Sequence, residues 1–168
     1  MILPGNLIQD RIIKMKTFDV LKGKVFGHPV HMMLVHFPAA LFPFSAAVSL
    51  AALIYSSSEL ALFNFYIICT GTVMGWLALV FGLIELMQIL NEKRTIKTVL
   101  MHGGLNTLWL CIFTVIAGVQ LKYYPGIPVP SVTQVITELI VVSVMIYSNY
   151  LGGELVLKYG IGKKTTDG

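Results

Sequence analysis

The stretch from Val25 to Ser58 reads VFGHPVHMMLVHFPAALFPFSAAVSLAALIYSSS and contains no Asp, Glu, Lys or Arg. A helix needs about 20 mainly apolar residues to cross the hydrocarbon core of a bilayer, so this stretch is long enough to do so. Three further stretches qualify, and the sequence predicts four spans near residues 32–54, 60–90, 98–121 and 135–157. The connections are short, which predicts an up-down-up-down bundle, an all-α integral membrane protein.

The composition supports the same fold class. Of the 168 residues, 56% are hydrophobic and 12% are charged, and the mean hydropathy is +0.80. Soluble domains carry about 25% charged residues, so an ordinary soluble enzyme, a disordered chain and a coiled coil are excluded. The two cysteines, Cys69 and Cys111, have no metal-binding or redox spacing, and a disulfide framework is not expected.

Lysine and arginine mark the orientation of the bundle. In a four-span topology, 11 of the 12 basic residues fall on the side that holds both termini, and Lys122 alone falls on the other. Basic residues concentrate on the cytoplasmic side of a membrane, so we expect both termini to be cytoplasmic and the protein to lie in the lipid bilayer of an inner membrane. Since topology explains the basic residues, we expect no nucleic-acid partner. We expect no cleavable signal peptide, because a long basic tail precedes the first apolar run.

Two segments flank the membrane domain, which we place at residues 27–162. In residues 1–26, apolar residues stand near helical spacing beside basic ones. This pattern favours an amphipathic segment on the cytoplasmic membrane surface over a soluble tail that docks on a partner. Residues 163–168 form a cytoplasmic tail. The sequence shows no internal repeat.

The four histidines all fall on the cytoplasmic side. His28, His31 and His36 open the first span, and His102 opens the third. His36 and His102 each lie about one turn inside a predicted span, and matched depth on two helices suits bis-histidine ligation of a haem iron. We therefore predict a haem b bound by His36 and His102. We expect His28 and His31 to lie at the interface, where they bind the haem propionates, ligate a metal or line a path for protons or quinone.

Other residues accompany this proposed site. We expect Phe37, Phe42 and Trp109 to wall the haem. The residues Glu85, Glu154 and Tyr159 reach the same face, where the two acids act at the site or simply pair with a lysine or a histidine. Gly71, Gly75 and Gly82 favour close helix contact. The other end of the bundle holds Asn64, Gln134 and Glu138, and we expect Glu138 or Glu154 to lie at membrane depth.

Four motifs carry a resemblance to a known family. They are Gly27-His-Pro-Val-His31 followed by Leu34-Val-His-Phe-Pro-Ala-Ala-Leu41, then Phe81-Gly-Leu-Ile-Glu85, His102-Gly-Gly-Leu-Asn106 and Tyr150-Leu-Gly-Gly-Glu-Leu-Val156. From about Gly27 to Gly162 the chain resembles the bacterial membrane family known as domain of unknown function 2231. The resemblance implies a four-span prokaryotic membrane protein and adds Asn106 to the candidate cofactor-binding residues. Relatives often accompany redox domains, which favours the haem interpretation by analogy.

The chain departs from the family pattern at three positions. Met32 stands where the family usually has proline, Glu85 where it usually has aspartate, and Tyr159 where a histidine often occurs. If that histidine is a ligand in relatives, its role is lost or altered in this chain.

Three functions are compatible with these patterns. The first is a haem b cytochrome-like subunit that transfers electrons within a larger respiratory or photosynthetic complex, with redox membrane proteins and quinone as partners. The second is a cofactor-free accessory subunit, in which the histidines and acids form a structural polar network. The third, ranked last, is a metal or proton transporter. The sequence contains no nucleophile–base pair, phosphate loop or zinc motif, so it does not indicate covalent catalysis.

Overall fold

The computed structural model describes residues 24–25, 28–89 and 94–160. Within these residues, strands β1 (Lys24–Val25) and β2 (His28–Pro29) precede five helices. The helices are α1 (Val30–Leu34), α2 (His36–Tyr55), α3 (Ser58–Ile89), α4 (Ile96–Leu121) and α5 (Val132–Leu157). Most of the expected amphipathic segment 1–26, and the tail 163–168, lie outside the described residues.

The prediction of four membrane spans is confirmed. Helices α1 and α2 form the first span, Val30–Tyr55, and α3, α4 and α5 form the second, third and fourth; all four are long and apolar enough to cross a membrane. Each span packs against the next in sequence and the first packs against the fourth, which closes the bundle. Spans one and three therefore run in the same direction, opposite to spans two and four.

The entrance to the first span differs from a simple helix start. Pro29 pairs with Lys24 in a two-residue antiparallel ladder, and the helix begins at Val30. Helicity is interrupted at Val35, although its N–H still reaches the His31 carbonyl at 3.0 Å. A proline has no N–H and disturbs the preceding turn, and Pro38 lies three residues beyond the interruption.

Serine side chains cap the second and fourth spans. The Ser57 hydroxyl accepts a hydrogen bond from the Leu60 N–H at 3.2 Å and donates to Glu59 Oε2 at 3.1 Å. At the start of span four, the Ser131 hydroxyl accepts from the Gln134 N–H at 3.2 Å. Each cap satisfies a backbone donor that the first turn of a helix leaves unpaired.

Aromatic rings fill the centre of the bundle. Phe42 of span one stacks on Phe113 of span three, with ring centroids 3.9 Å apart and planes 12° apart, and Trp109 meets Phe42 edge-on at 5.4 Å. Of the three residues expected to wall a haem, Phe42 and Trp109 are buried in this aromatic core and Phe37 is 46% exposed.

The small-residue face of span two makes the close contacts that its spacing predicts. A Cβ added at Gly71 would lie 3.0 Å from the Phe42 ring, and one added at Gly75 would lie 2.7 Å from a Leu110 methyl group. Span two thus uses glycine to approach span one and span three. The third glycine of this face, Gly82, contacts a histidine.

Candidate functional site

A cavity of about 510 Å³ lies at the end of the bundle where spans one and three begin and spans two and four end. Binding pockets for small molecules typically enclose about 300–1,000 Å³. All four spans contribute to its lining, which is mainly apolar and includes six polar side chains: His31, His36, Glu85, His102, Asn106 and Asn149. The predicted convergence of histidines from spans one and three on one face is therefore present as a single cavity.

His102 is held in a fixed orientation by span four. Its Nδ1 lies 2.7 Å from the Ser148 carbonyl oxygen, and because a carbonyl only accepts, Nδ1 carries the proton. The imidazole lies against Gly152, where an added Cβ would come within 2.7 Å of His102 Cε1. A glycine at this position gives the ring its space.

Asn106 and its partners fix the second nitrogen of His102. The Asn106 amide nitrogen lies 2.9 Å from His102 Nε2, while its oxygen accepts from Ser148 Oγ and from Trp109 Nε1, each at 2.8 Å. Two donors on the oxygen fix which way the amide faces, so Asn106 donates to Nε2. Both nitrogens of a neutral His102 therefore have partners. Ser148 was not predictable from the sequence, because its contacts with His102 and Asn106 depend on the register between two helices.

His31 is held in the same way by span two. Its Nδ1 lies 2.7 Å from the Ala78 carbonyl oxygen and donates to it. An added Cβ at Gly82 would lie 3.0 Å from His31 Nδ1. Spans one and two form one helical hairpin, and spans three and four form another. In each hairpin a histidine donates to a carbonyl that lies four residues before a glycine on the next helix. The proton on Nδ1 leaves Nε2 of His31 as the nitrogen with a lone pair.

Spans one and three share a weak sequence similarity around their histidines, which was not recognised as a repeat from the sequence. Aligning residues 31–50 with 102–121 pairs His31 with His102 and Phe42 with Phe113, and 6 of the 20 positions are identical. The paired phenylalanines stack on each other in the core. Since each phenylalanine lies eleven residues beyond its histidine, His31 and His102 lie at the same level of the bundle.

This alignment sets His36 deeper in the bundle than His31. It lies five residues beyond His31, which is about 7.5 Å further along a helix. The expected matched depth of His36 and His102 came from counting residues from the start of each predicted span. Span three begins more residues before Phe113 than span one begins before Phe42. His36 nevertheless lines the cavity and is exposed.

The remaining candidate residues have separate positions. Glu85 lines the cavity. The backbone of His28 pairs with Val25 in the two-stranded ladder, and its side chain lies outside what the structure describes. No group of three or more His, Cys, Asp or Glu that could hold a metal ion occurs within the described ranges 28–89 and 94–160.

Glu154 pairs with a lysine and does not line the cavity. Its carboxylate lies 3.6 Å from the Lys158 ammonium, one helical turn away, and that ammonium lies 5.3 Å from the centre of the Tyr159 ring. The carboxylate raises the pKa of Lys158 above its ordinary value, and the neighbouring Tyr159 side chain contributes to the same shift.

The cavity and its repeated histidines fall inside a region that matches a known family. The model of DUF2231, described as a predicted membrane protein, matches residues 27–165. The chain matches no curated protein and no solved structure. The matched region includes all four spans and every residue that lines the cavity. The chain therefore belongs to the DUF2231 family of predicted membrane proteins.

Proposed function

We propose that the cavity binds a haem b and that the protein is an electron-transfer subunit of a larger respiratory or photosynthetic complex. The observation that carries this proposal is the repeated arrangement of His31 and His102, two imidazoles at one level whose Nδ1–H groups are both anchored on backbone carbonyls at 2.7 Å. Metal-ligating histidines characteristically donate their other ring N–H to such an acceptor, which fixes the tautomer and orients the ring.

The cavity suits a flat and largely apolar group. Its volume lies within the range of cofactor pockets. Gly103 and Gly153 line it, and an added Cβ at either position would meet no atom within 4 Å, so both leave open space. Haem iron supplies one-electron chemistry when it is bound, and the residues of the chain hold the group and keep water away from its faces.

His102 must exchange one partner to serve as a ligand. Its Nε2 accepts a hydrogen bond from Asn106, which has to release it. The net contribution of one such bond is about 0.5–1.5 kcal/mol, a small cost beside the formation of a metal–ligand bond. His31 needs no such exchange, because the structure records no hydrogen bond to its Nε2 from the described residues. We therefore favour His31 and His102 as the two residues that would ligate the haem iron.

The pair predicted from the sequence, His36 and His102, stays a testable alternative. His36 lines the same cavity but has no carbonyl anchor among the described residues, and it lies further along span one than His31. In the favoured arrangement, His36 and Glu85 lie beside the cofactor. There they provide polar contacts for its propionates or for the protons that accompany electron transfer to a quinone.

The location of the site sets what the subunit does. All three cavity histidines lie at the end that also holds both termini, and we propose that this end faces the cytoplasm of a prokaryotic cell because 11 of the 12 basic residues lie there. One haem near one face does not carry an electron across the bilayer, so transfer across the membrane requires a redox partner or quinone.

A cofactor-free accessory subunit is the second candidate. The observation that favours it is the saturated network around His102, in which both ring nitrogens, the Asn106 amide and Trp109 Nε1 all have partners. Such a network stabilises one packing of spans three and four without any ligand.

An absorption spectrum of the detergent-purified protein, oxidised and then reduced with dithionite, separates the two candidates. Haem ligated by two histidines gives a sharp Soret band and, on reduction, α and β bands. We expect His31→Ala and His102→Ala to abolish these bands and His36→Ala to retain them. Glu154→Gln is the control, because Glu154 does not line the cavity. Loss in His36→Ala with retention in His31→Ala would restore the pair predicted from the sequence. A protein that stays colourless when haem is added would favour the accessory subunit.

A further inference from the structure

A second polar cluster lies at the opposite end of the bundle, around the fully buried side chain of Glu138. Ser49 lies six residues before the end of span one at Tyr55, Asn64 six residues after the start of span two at Ser58, and Glu138 six residues after the start of span four. Six residues correspond to about 9 Å along a helix. Three spans thus bring polar side chains to one depth inside the membrane domain.

Hydrogen bonds connect these side chains through one carboxylate oxygen. Glu138 Oε1 accepts from Ser49 Oγ at 3.0 Å and from Gln134 Nε2 at 2.9 Å. The Asn64 amide nitrogen donates to Ser49 Oγ at 3.0 Å. Because the Ser49 proton is already directed at Glu138, its oxygen must accept from Asn64. The amide of Asn64 therefore has a defined orientation, with its nitrogen towards Ser49.

Three oxygens of the same cluster are buried and have no hydrogen-bond partner. They are Glu138 Oε2, Asn64 Oδ1 and Ser45 Oγ. The Ser45 hydroxyl lies beside the Glu138 carboxyl group without completing a hydrogen bond. Buried polar atoms in folded proteins almost always have a partner, and each exception calls for an explanation. A group that supplies positive charge to all three oxygens would remove the cost of burying them.

The charges around Glu138 lead to the same requirement. Among the described residues, Ser45 and Ser49 from span one and Gln134 from its own helix contact Glu138, and Asn64 from span two contacts Ser49; none of these four is charged. The lysine at this end of the bundle, Lys122, is exposed beyond the end of span three. An ionised carboxylate at this position therefore needs a cation, and without one the carboxyl group takes up a proton.

We propose that this cluster, formed by Ser45, Ser49, Asn64, Gln134 and Glu138, is a binding site for a monovalent cation of the size of Na⁺. Carboxylate, carboxamide and hydroxyl oxygens are hard ligands that suit such ions. One carboxylate balances one positive charge, whereas a divalent ion would leave a positive charge buried. The site lies at the opposite end from the histidine cavity and does not depend on the haem proposal.

Sodium-dependent stability tests this proposal on the whole chain in detergent. The unfolding temperature is measured in NaCl and in choline chloride at equal ionic strength. A ligand that binds only the folded state stabilises it in proportion to the logarithm of its concentration. We expect a rise of about 3–5 °C for each tenfold increase in Na⁺ above the dissociation constant. Retention of radioactive ²²Na⁺ by the purified protein gives an independent measure, with one ion expected per chain.

Variants then place the effect in this cluster. Glu138→Gln should abolish the Na⁺ dependence and the retained ²²Na⁺, and Ser45→Ala, which deletes one oxygen, should raise the Na⁺ concentration needed for half the effect. Ser143→Ala is the control, since Ser143 bonds only to its own helix and is exposed. A wild-type protein whose unfolding temperature is the same in both salts, or a Glu138→Gln variant that keeps the full Na⁺ dependence, overturns the proposal.

Discussion

Replacing Gly152 with alanine would place a methyl group 2.7 Å from His102 Cε1 and 3.2 Å from His102 Nδ1. These distances are too short, so the imidazole must move away from span four. Its hydrogen bond to the Ser148 carbonyl, now 2.7 Å long, then breaks or lengthens. The neighbouring Gly153 provides a matched control, because an added Cβ there would meet no atom within 4 Å.

Both substitutions raise the helix propensity, but only Gly152→Ala crowds the His102 ring. Alanine is favoured over glycine inside a helix by about 0.8–1 kcal/mol, and both variants gain this. Gly152→Ala also leaves a buried donor or acceptor unsatisfied, which costs about 1–3 kcal/mol, and crowds a filled contact, which costs about 1–3 kcal/mol. We therefore expect Gly152→Ala to be destabilised by about 1–5 kcal/mol and Gly153→Ala to be stabilised by up to about 1 kcal/mol.

Thermal unfolding of both variants in the same detergent measures this difference. One kcal/mol corresponds to about 2–4 °C in a chain of this size, so the unfolding temperature of Gly152→Ala should lie at least about 4 °C below that of Gly153→Ala. Equal unfolding temperatures would refute the reasoning, because they would mean that the His102 ring moves without cost and is not fixed by span four.

Three further predictions follow from the same contacts. Ser49→Ala removes a hydroxyl that both donates and accepts in a buried network, and it should destabilise the fold by about 1–3 kcal/mol, whereas exposed Ser143→Ala should have no measurable effect in thermal unfolding. Asn106→Ala frees Nε2 of His102 and should tighten haem binding in a titration followed at the Soret band; weaker binding would mean that Asn106 contacts the cofactor itself. A reporter fused after Gly168 should give a cytoplasmic signal, and a periplasmic signal would reverse the orientation.

The end of the bundle at which the histidines lie was predictable, because topology alone decides it. A four-span bundle with short loops puts the start of spans one and three at the same end, whatever the details of packing. The spacing of Gly71 and Gly75 likewise gave a correct prediction of close contact, since small residues separated by one turn share a helix face.

The pairing of histidines was not predictable in this way. Depth counted from the edge of an apolar stretch matched His36 with His102, whereas the stacked Phe42 and Phe113 set His31 level with His102. Predicted span ends mark where hydropathy changes, and span three extends further at this end than span one. The sequence identities between residues 31–50 and 102–121 are too few to stand out among apolar residues until the structure aligns them.

Four segments able to cross a membrane were predictable from the amino-acid sequence, because hydropathy and charge act on each segment independently of its neighbours. The carbonyl that anchors each histidine and the oxygens around Glu138 that stay unpartnered are visible only in the folded bundle. Those properties depend on the axial register and rotation of one helix against another. A shift of one residue moves a side chain by about 1.5 Å along the axis and 100° around it, and nothing in a single apolar segment specifies that register.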